Sequence, residues 1–438
     1  MMSRRNTFVF LLLTAALSGA CGDGSGSPTQ ADDVATAPPA GTGGAKVPGA
    51  PATTGTSPAT SAPVTKTGAL LFATAAPIAG IAYESGPHKG TTDAKGSFTY
   101  DDGASVRFSV GAVVLGSVTG ADVLSPYQLA GSATCDDTSE LKTLVAQLEA
   151  LDADGDSANG ITVKAGATIP SLPALDVALR TFITAFDGEA WAAGTTDSFT
   201  AIDALVRGQG LASDGTSWFF SGTTGLEKTN SSFVSTKKSA LAIPLVLAAQ
   251  GSDHIGDIDV WSGTIYAPVE DKGYAKPKVV KYDATTLAAG TVFDIPHDLQ
   301  TKGVPWIAVD GPRGLAYMAE WDPTPAINVF SLATMTFVRA TPLSTPTGRV
   351  QGGKVYKGQL YLTIDDAAKH VLKVHLASGT VLPLFALDLP DVELEGLAFF
   401  ARPDGSLLHT LNVNAARNGV DLRHHKVTRE PLRWKVCK

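Results

Sequence analysis

Cysteine is scarce in this sequence: three in 438 residues, at positions 21, 135 and 437. So few exclude a small scaffold stapled by many disulfides. Charge is also sparse, at 17% of residues, and bases do not exceed acids: 34 Lys and Arg stand against 42 Asp and Glu. An acidic chain of net charge −8 is repelled by phosphate backbones, which excludes nucleic acid as a partner. With 44% hydrophobic residues, the low charge also excludes a wholly disordered chain. Apolar runs of 18 or more residues are lacking outside the N-terminus, so no internal membrane span is expected. Missing too are a nucleophile elbow, a zinc-ligand spacing, a phosphate loop and a dinucleotide fingerprint.

Turn formers are abundant instead: 45 Gly and 26 Pro, which suit many short strands. The length favours more than one module. The fold class expected is mainly β: a small N-terminal β-sandwich with a helical segment, then a β-propeller of about five blades. The boundaries read as 1–20, 21–67, 68–136, 137–210 and 211–438.

Residues 1–20 read as an export signal. Arg4 and Arg5 precede an apolar stretch from Phe8 to Leu17, too short to span a bilayer, and small residues lead to Cys21. Loss of residues 1–20, which carry two arginines and no acid, takes the net charge from −8 to −10. The run Leu17-Ser18-Gly19-Ala20-Cys21 resembles a bacterial lipobox, with its leucine four residues before the cysteine rather than three. The resemblance implies lipidation of Cys21, with palmitate among its acyl chains, and anchoring to a membrane. Gly22 carries no signal for inner-membrane retention, so the expected location is the cell envelope, at the outer membrane or cell surface. Residues 22–67 contain no aromatic, Leu or Ile, and cannot bury enough apolar area to order themselves. As a flexible tether they would span roughly 40 Å. Export permits a disulfide between Cys135 and Cys437, with two unpaired thiols the alternative.

In the first ordered module, Ile78–Tyr83 reads as a strand, and Val106, Phe108 and Val110 alternate with polar residues as in a half-buried strand. Gly90–Phe98 (Gly-Thr-Thr-Asp-x-x-Gly-x-Phe) and Val106–Gly116 (Val-x-Phe-x-x-Gly-x-x-x-Leu-Gly) resemble the β-sandwich repeats of bacterial surface proteins and adhesins. Leu141, Leu144, Val145, Leu148 and Leu151 mark a helix face, and Leu175–Phe186 repeats the pattern. Between them Asp152, Asp154, Asp156 and Asn159 offer oxygen ligands at short steps, as calcium loops do. No Glu stands at the twelfth position, where Val163 lies, so this is not an EF-hand. Calcium and a solvated Asp/Gly turn are the two readings.

The second module repeats itself. Stretches beginning at Ile255, Val304, Val350 and Leu394 each read as strand, Gly-containing turn and strand ending near a ring. A third strand follows each (278–282, 326–330, 371–376, 420–424), and a fourth follows most (292–295, 337–340, 381–385). A four-stranded unit recurring at about 45 residues is a propeller signature, and residues 215–247 would supply a fifth, less regular blade. His254–Asp259 and Tyr266–Glu270 resemble secreted bacterial propellers, a group with esterase-like, lactonase-like and ligand-sensing members. Aligning the repeats puts His254, Asp257, Trp306, Gln351, Glu393 and Glu395 at one end of a central channel as candidate ligand-binding residues. Carboxylates gathered there need water, protons or a cation, and calcium is the cofactor they would suit. The other reading has Asp257 and Asp259 bonding backbone amides and locking blades together. His424 and His425 read as solvated. The function expected is a binding module at the cell envelope for a small-molecule, peptide or glycan ligand. A metal-dependent propeller hydrolase or lactonase and a structural envelope protein are the alternatives.

Overall fold

The computed structural model describes residues 62–437, apart from 133, 171–174 and 415–418. The expected export signal, Cys21 and most of the tether lie outside these residues. The chain is mainly β, and no helix among the described residues is long and apolar enough to cross a membrane.

Residues 62–438 form one compact unit. It begins with two small sheets. Strand Thr65–Ala73 pairs with Ser97–Asp101 on one side and Ala76–Ala79 on the other; Ala82–Ser85 pairs with His88–Thr91 and Ser105–Val110 in the second sheet. Their inner faces meet through Phe98 and Phe108, whose ring centroids lie 5.2 Å apart edge to face. Val106, Phe108 and Val110 are all buried, as their alternation requires.

Two sequence expectations change here. Strand Thr65–Ala73 begins inside the expected tether, because backbone pairing with 97–101 and a Lys66–Asp102 ion pair hold its first polar residues. The single strand expected over 78–83 is broken at Gly80, which adopts φ 82° and turns the chain from one sheet to the other. A side chain at Gly80 would collide with the Val163 carbonyl.

Helices Ser139–Leu151 and Leu175–Asp187 pack on these sheets through Leu141, Leu144, Leu148, Phe182 and Phe186.

Five four-stranded antiparallel sheets follow, each laid down strand beside strand. The first runs from Gly210–Ser213 to Ser235–Ser239. The second runs from Ser252–Ile255, continued by Asp259–Trp261, to Ala289–Asp294. The third runs from Ala308–Asp310 to Phe337–Thr347, and the fourth from Val350–Tyr356 to Thr380–Ala386. The fifth takes Glu393–Phe399, Ser406–Val413 and Gly419–Arg429, and completes itself with Ala190–Thr200. The first strands touch in cyclic order, and those of the fifth and first sheets touch each other. The arrangement is propeller-like. The sheet at 210–239, expected to be irregular, is as regular as the rest. Residues 190–200, expected within the helical segment, are the outer strand that ties the two ends of the ring together.

The repeats seen in sequence have one hydrogen-bonding meaning. The four residues that open them, Ile255, Val304, Val350 and Leu394, are fully buried. Each donates its amide to the end of the second strand of the preceding sheet or to the loop after it. The acceptors are the Thr223 carbonyl, the Glu270 carboxylate, the Trp321 carbonyl and the Asp365 carboxylate. Glu270 and Asp365 are thus inter-sheet ties rather than solvated acids.

His424 and His425 are buried, not solvated. Their side chains leave opposite faces of strand Gly419–Arg429. His424 meets Asp197 at 2.8 Å and His409 at 2.6 Å, whereas His425 meets Thr410 at 3.0 Å and the Phe385 ring.

A buried polar seam joins the early sheets and helices to the ring. Lys373, with no exposure, lies between Asp187 at 2.8 Å and Glu189, and Glu189 also accepts from Trp191 and Tyr361. His375 lies 3.3 Å from Asp137. The C-terminal helix Leu432–Val436 is fixed by Arg433, which donates to Tyr127 and to the Cys135 carbonyl, and by a disulfide between Cys135 and Cys437. The disulfide joins residues 302 apart in sequence, with their Cα atoms 5.8 Å apart.

Closing so long a loop restricts the unfolded chain. Chemical denaturation should therefore find Cys437→Ser less stable by about 2–4 kcal/mol. An unchanged midpoint, with or without reductant, would count against the disulfide.

Burial holds His425 far below its ordinary 6.5, at about 3, with His424 adding to the effect. The unfolded chain gains this proton below pH 6.5 and the native state only near pH 3, so stability drops through that window as pH falls. Each pH unit costs about 1.4 kcal/mol. The advantage of wild type over His425→Gln should shrink by about 2 kcal/mol between pH 6.5 and pH 5. A constant gap in denaturation midpoints would refute this.

Candidate ligand cavity and the carboxylate at the axis

Asp257 stands where the five sheets meet. It is fully buried. Its backbone bridges to the third sheet: its amide donates to the Pro305 carbonyl at 2.8 Å, and its carbonyl accepts from the Ile307 amide at 3.2 Å. Its carboxylate reaches the other sheets. Oδ1 accepts from the Leu211 amide of the first sheet at 2.9 Å, and Oδ2 from the Gly353 amide of the fourth at 3.1 Å. Lys354 Nζ lies 2.7 Å from Oδ2 and is itself buried. Gly396 of the fifth sheet packs against Oδ1 so closely that a Cβ there would collide with it. Gly352 is held as tightly, between Asp257 and the Gly396 backbone. The glycines at these aligned positions are therefore room for one carboxylate. Burial pushes the Asp257 carboxyl up to about 7, against the pull of Lys354 and the two amides.

Asp259 plays a smaller version of this part. Its Oδ2 accepts from Val309 of the third sheet at 2.8 Å and its Oδ1 from Val260. Ser221 Oγ donates to the Gly256 carbonyl, and Thr363 Oγ1 to the Glu395 carbonyl, adding ties between neighbouring sheets.

None of the six residues aligned from sequence lines the cavity described below. Asp257 and Trp306 are wholly buried at the axis, and Trp306 packs on Gly353. Glu395 is also buried, 3.4 Å from the Gln209 amide nitrogen. His254, Gln351 and Glu393 lie in the strand segments that start the inner layer. At the level of Asp257, where an open acidic channel was expected, close-packed glycines bring backbone and one buried carboxylate together.

The expected calcium loop is likewise turned inward on its own backbone. Asp152 Oδ1 accepts from Ala153 and Thr162, Asp154 from the Asp156 amide and the Asn159 side chain, and Asp156 caps the turn Ser157–Asn159. The Asp156 amide is the chief reason that the Asp154 carboxyl sits below its ordinary range. Among the described residues, no group of three or more His, Cys, Asp or Glu side chains is placed to hold a metal ion.

The open space lies at the other end of the inner strands. A cavity of about 850 Å3 is walled by the ends of first strands from all five sheets: Ser213, Trp261, Asp310, Tyr356 and Phe399. Thr134, Arg433, Trp434 and Cys437, held by the disulfide and the C-terminal helix, supply the remaining wall. Tyr356 and Phe399 stack with centroids 4.1 Å apart and planes 3° from parallel. Trp434 meets Tyr356 edge on at 5.5 Å. Lys354, on the axial Asp257, reaches this cavity from below.

Of these wall residues only Cys437 stood out in the sequence, as a disulfide candidate, yet a signal was present for others. Three repeats end their first strand on a ring: Trp261, Tyr356 and Phe399. Extending the repeat alignment by a few positions finds them. Arg433 and Trp434 carry no such signal, since they belong to a helix outside the repeats.

No protein-family model matches the chain, and no curated protein is significantly similar to it. Among solved structures, a chain of "Crystal Structure of Mitotic Checkpoint Complex" is similar over 48% of this chain and 61% of that one, at 12% identity and a TM-score of 0.30. At that TM-score the likeness bears on neither fold nor function.

Removing the axial carboxylate would leave Lys354 buried without its counter-charge and two amides without an acceptor. Asp257→Ala should cost about 3–5 kcal/mol. Adding Lys354→Met should recover part of this, with a coupling of about 1–3 kcal/mol in a double-mutant cycle. Strictly additive losses would contradict the pairing.

Proposed function

We propose that the protein is an exported, lipid-anchored binding protein, in which the five sheets form a five-bladed propeller and the cavity at its axis takes a small ligand. One observation carries the binding reading: a space of about 850 Å3 bounded by residues from all five sheets, rings and cations prominent among them, and by the disulfide-held Arg433–Cys437 segment. That volume suits a small molecule, and apolar walls with a few convergent polar groups are what such sites require.

The cavity's chemistry favours binding over hydrolysis. Its two carboxylates are occupied: Asp259 by amides, and Asp310 by Arg313 at 2.8 Å and the Arg313 amide. No histidine lines it. The commonest general bases are carboxylates and imidazoles free to accept the substrate's proton, and this wall offers none.

The anchor rests on the lipobox-like run ending at Cys21 and the following segment poor in apolar residues. An acylated cysteine on a tether would hold the body near a bilayer while leaving the cavity open to solutes.

Two measurements test this together. In a bacterial host that processes lipoproteins, the wild type should take up a clickable palmitate and sediment with membranes, whereas Cys21→Ala should lose both. Native mass spectrometry of residues 62–438 against small-molecule mixtures should give a one-to-one adduct that Trp261→Ala weakens. A Cys21→Ala protein that still sediments would refute the anchor. Adducts insensitive to Trp261 would refute the cavity as the site.

A further inference from the structure

The cavity has a sign. Four cations line it, Arg313, Lys354, Lys357 and Arg433, against the two carboxylates Asp259 and Asp310, in a chain whose net charge is −8. Two of the cations are neutralised inside the protein: Lys354 by Asp257 at 2.7 Å and Arg313 by Asp310 at 2.8 Å. Of the other two, Arg433 faces the buried Asp137, whose carboxyl it pulls down against burial, so Lys357 alone is left without a counter-charge among the described residues. Lys357 has no carboxylate within 4 Å among the described residues. Arg433 is only 4% exposed, and its hydrogen bonds go to neutral groups, the Tyr127 hydroxyl and the Cys135 carbonyl. Lys357 Nζ lies 4.7 Å from the centre of the Trp434 ring and 5.5 Å from that of Tyr356. It is held at the cavity by ring faces, which attract a cation without cancelling its charge.

Beside these cations the wall is flat and apolar. Tyr356 and Phe399 are stacked in parallel, and Trp261 across the cavity keeps 43% of its surface exposed. Large exposed aromatics at a cavity mouth offer area that a planar body can cover. Positive charge with no internal partner, next to flat rings, is complementary to one kind of small molecule.

We infer that the cavity takes an organic anion with a flat apolar body, a carboxylate, sulfonate or phosphate carried on an aromatic or fused-ring frame. This rests on the reading of the cavity as a ligand site and adds the ligand's chemical class. The acidic group pairs with Lys357. The ring body lies against Trp261 and the Tyr356–Phe399 stack. Neutral ring compounds lose the charge-assisted bonds, and inorganic anions lose the ring contacts.

Two dyes with nearly the same rings separate these contributions. 1-Anilinonaphthalene-8-sulfonate carries a sulfonate, and N-phenyl-1-naphthylamine does not. Fluorescence titration of folded residues 62–438 should give saturable one-to-one binding of the sulfonate dye, at least tenfold tighter than the neutral one. Lys357→Asn should weaken the sulfonate dye about tenfold and leave the neutral dye unchanged, as removal of one charge-assisted bond predicts. Lys357 has left-handed backbone, φ 46°, which asparagine adopts readily, so this variant keeps the turn. Trp261→Ala should weaken both dyes.

Equal affinity for both dyes, or an equal loss of both in Lys357→Asn, would overturn the anion assignment while leaving a cavity that binds apolar bodies. Dye binding unaffected by Trp261→Ala would place the dyes elsewhere and overturn it as well. Failure of both dyes to bind protein with an unchanged melting transition would sink the cavity reading along with the inference.

Discussion

One carboxylate without access to water sets the terms for this fold. Asp257 cannot be solvated, so every lone pair it presents has to be met by protein. The donors come from different sheets: Leu211 from the first, Gly353 and Lys354 from the fourth. Its backbone is bonded into the third, and the fifth approaches as a bare glycine. Each sheet has edges that are poor structures alone. Meeting at a single charged group makes them interdependent, because loss of any donor leaves the charge under-satisfied. Asp259, Glu270 and Asp365 repeat the device between neighbouring sheets, accepting amides at Val309, Val304 and Leu394.

Close packing at Asp257 explains where space remains. Glycines at 352 and 396 allow backbone to close on Asp257, so the centre is closely packed at that level. Beyond it the first strands end in rings rather than glycines, and they spread around a cavity. The rest of the molecule finishes the enclosure. A helix of five residues, pinned by Arg433 and the Cys135–Cys437 bond, brings Trp434 to the wall. The early sheets and helices take part in this enclosure. They contribute a side of the cavity and share a buried seam of Lys373, Asp187 and Glu189 with the fourth sheet.

Much of this was legible in the residues. The repeats beginning at Ile255, Val304, Val350 and Leu394 mark equivalent strands, and each opening residue makes the same inter-sheet bond. Alternation at Val106, Phe108 and Val110 and the leucine spacing of 141–151 also gave the right elements. The structural alternative for Asp257 and Asp259, as bonds between sheets, describes what both do. Other features were hidden because they depend on contacts distant in sequence. Strand Ala190–Thr200 has an exposed, polar pattern and is a strand only because Gly419–Arg429 lies beside it. The burial of His424 follows from Asp197 and Arg402, over 200 and about 20 residues away. The aspartates at 152, 154 and 156 have the spacing of cation ligands, but that spacing serves equally well to cap amides in a turn. Only their directions distinguish the two.

Amide hydrogen exchange tests the central claim most directly. If Asp257 binds the sheets into one ring, the amides of Leu211 and Gly353, which lie in different sheets, exchange only when the whole ring opens, at a common slow rate. In Asp257→Asn both should lose protection together. Contradiction would come from amides that exchange at unrelated rates in the wild type, or from one keeping full protection when the other loses it.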